Sequence, residues 1–146
     1  MGKYFEQYTP GEETITPTRT ITETDIVQFA GLTGDWYELH TSVEYAATTQ
    51  FGQRIAHGAL IFSISTGLIM RMDAGPKTVI AFYGIDRLRF VKPTFIGDTI
   101  HVRQRVEDKT ERDAHSGVVT SLTEVINQRG EIVISYTSKA LIKRQA

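Results

Sequence analysis

An aspartate and a histidine, Asp35 and His40, stand five positions apart in the segment GDWYELH. On a regular helix this spacing would not bring the two side chains face to face, but in a bent loop it can. A carboxylate and an imidazole directed at one point can hold a water molecule and remove its proton. The pair therefore indicates acid–base catalysis. The alternative is local: Asp35 would cap a turn and His40 would bond a backbone carbonyl.

A second candidate is the pair His57-Gly58, which opens a long apolar segment. Free backbone N–H groups and the positive end of the helix dipole meet at the start of a helix. A substrate carbonyl oxygen that gains negative charge would be stabilised there, so Gly58 is a candidate oxyanion-binding residue. The alternative is that Gly58 only permits a tight turn and His57 is a hydrogen-bonded hinge.

Three of these side chains, Asp35, His40 and His57, could in principle bind a metal. We expect no metal site, because the histidines lack the close spacing of a helical or strand motif and no fourth ligand is apparent. The sequence contains no cysteine, no phosphate-binding loop and no nucleophile-elbow motif. No cofactor is therefore predicted.

The length, net charge and composition of the chain limit the kinds of binding partner it can have. The chain has 146 residues and a formal net charge of −1, without a basic block. This favours one domain over residues 1–146 and argues against nucleic acid or an anionic membrane surface as partner. The N-terminus lacks a signal-peptide pattern, and the longest apolar run, 59–72, is too short and too mixed to cross a bilayer. We expect a cytoplasmic protein.

The first half of the chain indicates short elements around one long helix. Residues 14–21 favour an extended segment, and Thr22 with Asp25 predicts a capped helix that ends by Gly34. Thr41 with Glu44 predicts a second capping box. Residues 58–72 are apolar on every side, which is typical of a buried helix, so we expect almost no exposed side chain there. The Gly75-Pro76 pair would end this helix.

The second half changes to β-branched and alternating patterns. Four segments, 78–91, 99–107, 116–127 and 131–143, read as strands with short connections, and Gly130 suits a left-handed turn position. This predicts an α+β fold in which a curved antiparallel meander wraps a long buried helix. One layer of sheet leaves open edges, which favours a homodimer or a dimer of dimers.

Three segments in this order resemble the MaoC-like hydratases, single hot-dog domains related to (R)-specific enoyl-CoA hydratases. They are FAGLTGDWYELH at 29–40, FGQRIAHGALIFSISTGL at 51–68 and FVKPTFIGDTI at 90–100. The resemblance runs from about Ile21 to the final strand. It implies a hot-dog fold, usually dimeric. It also implies reversible, (R)-specific addition of water to a 2-enoyl thioester of CoA or acyl carrier protein.

The resemblance assigns roles to particular residues. Asp35 and His40 fall on the family's catalytic pair, and Gly58 falls on the glycine whose amide faces the thioester oxygen. Thr66 falls where relatives often have an active-site serine. The family's usual Asn-Pro between the aspartate and the histidine is replaced by Tyr37-Glu38.

Large side chains near these positions are candidates for the acyl tunnel. They are Trp36, Tyr37, Phe51 and Phe62. The alternative is that each belongs to the core, as aromatic residues often do. Two other functions on the same fold remain open. A thioesterase would direct a carboxylate at the thioester carbon itself, and a non-catalytic acyl-thioester-binding module would not need Asp35 and His40.

Overall fold

The computed structural model describes residues 2–73 and 75–145 of the chain. After a 3-10 turn at Phe5–Gln7 come two short strands, four helices and four long strands. Their bounds are β1 Glu13–Ile15, β2 Arg19–Thr20, α1 Glu23–Thr33, α2 Glu38–Thr41, α3 Val43–Ala47, α4 Gly58–Met70, β3 Val79–Phe90, β4 Thr99–Glu111, β5 Ser116–Ile126 and β6 Ile132–Lys143. None of these helices has the length and apolar character needed to span a bilayer.

The strands form an antiparallel sheet in the order β1-β4-β5-β6-β3, with β2 also paired to β4. The predicted meander is confirmed for β4, β5 and β6, and Gly130 between the last two has the left-handed φ of 75°. It is wrong for β3, which pairs with β6 instead of β4. The connection of residues 91–98 is a loop rather than a tight turn, so β4 can cross to the far side of β5 and β6.

Helix α4 packs on the inner face of this curved sheet. Its buried residues join core side chains from β4, β5 and β6 in one hydrophobic cluster that includes Ile61, Leu68, Val102, Val125 and Tyr136. Within this cluster, Val102 of β4 lies directly opposite Val125 of β5. Burial of this apolar surface is the main stabilising contribution to the fold.

The expectation that α4 is buried on every side is wrong. The helix ends at Met70, before Met72, and Ala59, Ser63 and Met70 are exposed, Met70 by 50% of its surface. The sheet packs against one face of the helix, and the opposite face is left open to solvent by residues 2–73 and 75–145. The apolar composition of α4 therefore exceeds what burial within one chain requires.

The boundaries of α1 and of the short strands before it are set by a few nearby residues. The predicted capping box is confirmed, because the Thr22 hydroxyl accepts from the Asp25 N–H at 3.2 Å and the Asp25 carboxylate accepts from the Thr22 N–H at 2.9 Å. Gly34 ends α1 with a left-handed φ of 80°. The predicted extended segment is split into β1 and β2 at Pro17, which has no N–H to donate to a ladder.

The second predicted capping box is wrong by one residue. Ser42 caps α3, since its hydroxyl accepts from the Tyr45 N–H at 3.1 Å. Thr41 is instead the last residue of α2, and its hydroxyl donates to the carbonyls of Trp36 and Tyr37 at 3.1 and 3.2 Å. The Thr41 side chain thus closes the bend before α2.

Candidate active site

Asp35 lies in the bend between α1 and α2, and its position is fixed by short-range hydrogen bonds. Its N–H donates to the Thr33 hydroxyl at 3.2 Å, and its Oδ1 accepts from the Tyr37 N–H at 3.3 Å. These bonds and the Thr41 hydroxyl shape the bend where the resembling family has Asn-Pro. The other carboxylate oxygen, Oδ2, stays available, and the side chain is 52% exposed.

His40 lies on α2 with a defined tautomer. Its Nδ1 is 2.7 Å from the carbonyl oxygen of Ile55. Because a carbonyl oxygen can only accept, Nδ1 carries the proton and Nε2 keeps its lone pair. Burial lowers the pKa of His40 below its ordinary value of 6.5, although the bond to Ile55 opposes this shift. His40 is therefore a neutral imidazole near pH 7, with Nε2 free to take a proton.

His57 connects the two candidate residues. Its Nε2 donates to the backbone carbonyl of Asp35 at 2.9 Å, and its ring stacks on that of His40 with centroids 3.9 Å apart. Phe29 packs edge-on against the same ring at 5.0 Å. His57 is only 2% exposed, and its Nδ1 has no hydrogen-bond partner within the described residues. The alternative drawn from the sequence, in which His57 is a hydrogen-bonded hinge, did not indicate the ring stack on His40 or the packing of Phe29.

The fold brings Asp35, His40 and His57 together, with one potential ligand atom from each lying within 4.8 Å of the others. The sequence indicated that Asp35 and His40 could meet in a bend, but the spacing of His57 gave no sign that it joins them. However, the Nε2 of His57, the nitrogen 4.0 Å from the Asp35 carboxylate, already donates its proton to a carbonyl. With this nitrogen engaged, a carboxylate oxygen of Asp35 and a ring nitrogen of His40 remain at this point, an arrangement that suits proton transfer better than metal binding.

Gly58 is the first residue of α4, so its N–H has no acceptor within the helix. The Phe90 ring lies directly against it, and a β-carbon at this position would come within 2.6 Å of that ring. His40, Phe51, Gly58, Phe90 and Thr94 line one cavity of about 540 Å³. Gly58 and His40 therefore line the same cavity, whereas Asp35 is not among its lining residues.

The other predicted site residues do not gather in this cavity. Phe62 and Thr66 line a separate cavity further along α4. The Thr66 hydroxyl donates to the carbonyl of Ser63 at 2.7 Å. Trp36 and Tyr37, each 54% exposed, line neither cavity. The expectation that these two residues form acyl-tunnel walls therefore has no support from the cavities of the described chain.

Tyr37 packs beside the candidate pair from outside the cavity. Its ring lies edge-on to His40 with centroids 6.0 Å apart, and its hydroxyl is 3.1 Å from that of Tyr45. Phe90 was missed as a cavity residue, although it opens the segment FVKPTFIGDTI. No sequence pattern indicated this role, because Phe90 and Gly58 are far apart in the chain and meet only in the fold.

Comparison with known proteins gives consistent matches. Residues 5–128 match the family model described as the MaoC like domain. Protein MaoC of Klebsiella aerogenes is 46% identical over 114 residues, which are 78% of this chain and 33% of that protein. An (R)-specific enoyl-CoA hydratase of Rhodospirillum rubrum is 38% identical over 97 residues, 66% of this chain and 65% of that protein. The chain thus matches only part of either relative's length.

Solved structures agree on the fold. A protein of Archaeoglobus fulgidus described as a monoamine oxidase regulatory protein superposes with a TM-score of 0.94 at 45% identity, over 99% of this chain and 97% of that one. The R-hydratase PhaJ1 of Pseudomonas aeruginosa gives 0.81 at 31% identity, over 97% and 86%. A Mycobacterium tuberculosis protein with a double hot-dog fold gives 0.85 at 18% identity, over 99% and 45%. The chain belongs to the MaoC-like domain family and has the hot-dog fold.

Proposed function

We propose that this protein reversibly adds water across the double bond of a 2-enoyl-CoA thioester and forms the (R)-3-hydroxyacyl thioester. One observation carries the proposal. His40 and Gly58, the first residue of α4, line one cavity, and a carboxylate oxygen of Asp35, which is not among the lining residues, lies within 4.8 Å of a ring nitrogen of His40. Hydration of an activated double bond needs a base, a water-holding group and a donor for the developing oxyanion.

The reaction would begin at the thioester carbonyl, whose oxygen accepts a hydrogen bond from the Gly58 N–H. This bond draws electron density from the double bond and makes C3 electrophilic. Water held between Asp35 and His40 attacks C3, and His40 Nε2 takes a proton from it. The new C3–O bond forms as the π electrons move toward C2 and the carbonyl oxygen, and C2 then receives a proton from the same two residues.

Delivery of both the hydroxyl group and the proton from one side predicts syn addition. The reverse sequence of steps removes water from a 3-hydroxyacyl thioester. The relatives named above, an (R)-specific enoyl-CoA hydratase and an R-hydratase, support this reaction class. The choice of the (R) product and of CoA as the carrier is part of the proposal.

We further propose that the working unit is a homodimer. Strand β3 pairs with β6 on one side only, and its Ile80, Phe82 and Tyr83 are each about half exposed. Met70 on the uncovered face of α4 is exposed to the same degree. Apolar side chains gathered on an edge and an uncovered helix face are typical of an interaction surface. Light scattering coupled to gel filtration at micromolar concentration tests this, and a clean monomer would contradict it.

The function is tested by following the absorbance of the conjugated thioester with a panel of 2-enoyl-CoA substrates, and by resolving the stereochemistry of the product. Loss of absorbance without release of free thiol supports hydration. Release of free CoA thiol from saturated acyl-CoA would support a thioesterase instead. Tight binding of enoyl-CoA with no turnover would support a binding module. Crotonyl-CoA and its acyl carrier protein counterpart, compared at equal concentration, identify the carrier.

A further inference from the structure

A cavity of about 400 Å³ lies between the C-terminal half of α4 and the inner face of the sheet. Most of its wall is apolar: Phe62, Ile69, Met70, Val79, Phe82, Val119, Ala140 and Ile142. A smaller neighbour of about 270 Å³ shares Tyr8, Ile69, Met70, Val79, Gln104 and Ser121 with it. The chain therefore leaves considerable open space under this half of the helix, where the core of a small domain is normally filled.

The floor of the cavity is polar. The Gln104 side-chain amide donates to the hydroxyls of Thr123 and Ser138, each at 3.2 Å, and these two hydroxyls are 3.1 Å apart. Thr123 is fully buried and Ser138 is 5% exposed. The row crosses three neighbouring strands and separates the cluster around Ile61 from a smaller cluster around Phe5. Apolar residues at these positions would have joined the two clusters into one core, so the polar row needs another explanation.

Two polar groups of the floor face the cavity without a partner. Both N–H groups of the Gln104 amide are used in the row, and its Oε1 accepts no hydrogen bond from any described residue. The hydroxyl of Ser121, a residue 5% exposed, likewise has no hydrogen-bond partner in residues 2–73 and 75–145. Both atoms lack a partner among the described residues but are not fully buried, so they remain accessible to a ligand. The floor thus offers one acceptor and one hydroxyl to a ligand.

Within the described part of the chain, the lining of this cavity contains no Lys, Arg, Asp, Glu or His. The neighbouring cavity, which Gln104 and Ser121 also line, adds Lys3, Glu12 and Asp73, but Lys3 is already paired with Glu12. A ligand carboxylate would therefore lose its hydration here without gaining a cation, which is strongly unfavourable. A hydroxyl group matches the floor, because it can donate to the Gln104 oxygen and accept from the Ser121 hydroxyl. This selects neutral, oxygen-bearing chains over both plain hydrocarbon and dicarboxylic chains.

Helix α4 runs past both this cavity and the cavity of the proposed reaction centre, which share no described lining residue. Gly58, Phe62 and Thr66 follow one another at intervals of four residues, so they lie along one face of the helix. Gly58 lines the cavity with His40, and Phe62 and Thr66 line the cavity with the polar floor. The distance from Gly58 to Thr66 along the axis is roughly 12 Å, which a medium-length acyl chain can span.

We propose that this cavity binds the distal part of the acyl group, and that Gln104 and Ser121 select acyl chains carrying a hydroxyl group near that end. The inference rests on the proposed function for the acyl thioester, and it adds the class of acyl chain. Its determinants lie on β4 and β5, away from Asp35 and His40.

Binding of saturated thioesters tests the inference without any turnover. Calorimetry would compare 8-hydroxyoctanoyl-CoA with octanoyl-CoA on the full chain and on two variants, Gln104→Leu and Ser121→Ala. We expect the wild type to bind the hydroxylated chain more tightly than the plain one. Gln104→Leu should shift the ratio of the two Kd values toward the plain chain by ~3- to 10-fold, the range of one lost neutral hydrogen bond.

A second variant and a control variant distinguish loss of the ligand contact from a folding defect or a non-specific effect. Ser121→Ala removes a hydroxyl that no described residue bonds, so it should fold normally and shift the ratio in the same direction. Gln28→Leu makes the same chemical change as Gln104→Leu on the exposed face of α1 and should leave the ratio unchanged. An equal ratio in the wild type and both cavity variants overturns the inference, as does failure to bind either octanoyl thioester. Discrimination in binding without hydration of any enoyl-CoA would instead uphold the cavity and overturn the proposed reaction.

Discussion

The imidazole of His57 donates from Nε2 to the backbone carbonyl of Asp35 at 2.9 Å while its ring stacks on that of His40 at 3.9 Å. One buried side chain thus holds the backbone of one member of the pair and the ring of the other. It is also the residue immediately before Gly58, at the start of α4. Small displacements of His57 would therefore reach the proposed base, the proposed water-holding carboxylate and the proposed oxyanion donor together.

Substitution of the pair itself is the most direct test of the chemistry. Asp35→Asn and His40→Gln keep the size of each side chain, so we expect kcat to fall by ~10²–10⁴ while KM changes much less. The losses should not add in the double variant, because either change alone disables the shared water. Steady-state kinetics measure this, with His115→Gln, an exposed loop histidine, as the matched control. Singles that fold and keep nearly full activity would contradict the assignment.

The two contacts of His57 can be separated by two substitutions. His57→Gln keeps an N–H donor for the Asp35 carbonyl but loses the ring stack, and His57→Phe keeps a ring but loses the donor. If the bond to Asp35 positions the carboxylate, His57→Phe should lower kcat more than His57→Gln, by up to ~10²-fold. Equal falls in Tm for both variants, with unchanged kcat per folded molecule, would reduce His57 to a packing role.

The pH profile should report His40. Its pKa is lowered mainly by burial, so the imidazole remains neutral and able to accept a proton at pH values below its ordinary 6.5. We expect the acid limb of kcat/KM to lie below pH 6.5. The charge on Asp35 acts in the opposite direction and raises the pKa of His40. In Asp35→Asn the limb of the residual activity should therefore move to lower pH, and a shift to higher pH would contradict this electrostatic relationship.

The same shift affects stability in a defined direction. Because the folded pKa of His40 is depressed, the unfolded chain binds more protons as pH falls below 6.5. The contribution of His40 to stability is therefore lost with acidification through that range. Denaturant titrations of the wild type and His40→Gln at several pH values should differ in slope there, with the wild type losing more stability. Parallel curves would show that burial does not perturb this histidine.

The contact between Gly58 and Phe90 predicts a rescue. In Gly58→Ala the new methyl group would come within 2.6 Å of the Phe90 ring, so the ring or the helix start must shift. We expect a loss of ~1–3 kcal/mol in the free energy of unfolding, typical of overpacking. Because Phe90 is already half exposed, Gly58→Ala/Phe90→Ala should recover much of the loss. Thermal unfolding measures this, and a double variant less stable than Gly58→Ala would exclude a clash as the cause.

The parts of the fold that depend on local chemistry could be predicted from the sequence. The capping box at Thr22, the end of α1 at Gly34 and the turn at Gly130 each follow from one or two residue types. The order of the strands could not be predicted in full. The partner of β3 lies beyond two intervening strands, and no short-range pattern encodes that pairing.

The candidate site could likewise be predicted only in part from the sequence. A family resemblance and residue types pointed to Asp35, His40 and Gly58, but the role of His57 depends on a contact between residues 22 positions apart in the chain. Phe51 and Phe62 line different cavities, and their shared aromatic character gave no means of predicting this. The exposure of Trp36 and Tyr37 could not be read from their aromatic character, which predicts cavities and surfaces alike.

The late position of β6 in the sequence has a consequence for how the chain folds. Strand β3 is complete at Phe90, yet its pairing partner begins only at Ile132. On a ribosome, α4 and β3 emerge well before the strand that covers them, and their apolar surfaces stay open to other nascent chains during that interval. Completion of the sheet also requires strand pairings between distant parts of the chain, such as Glu13 with Arg105. Such topology folds slowly, so the yield of native protein should depend more on dilution and temperature during synthesis than on the stability reached afterwards.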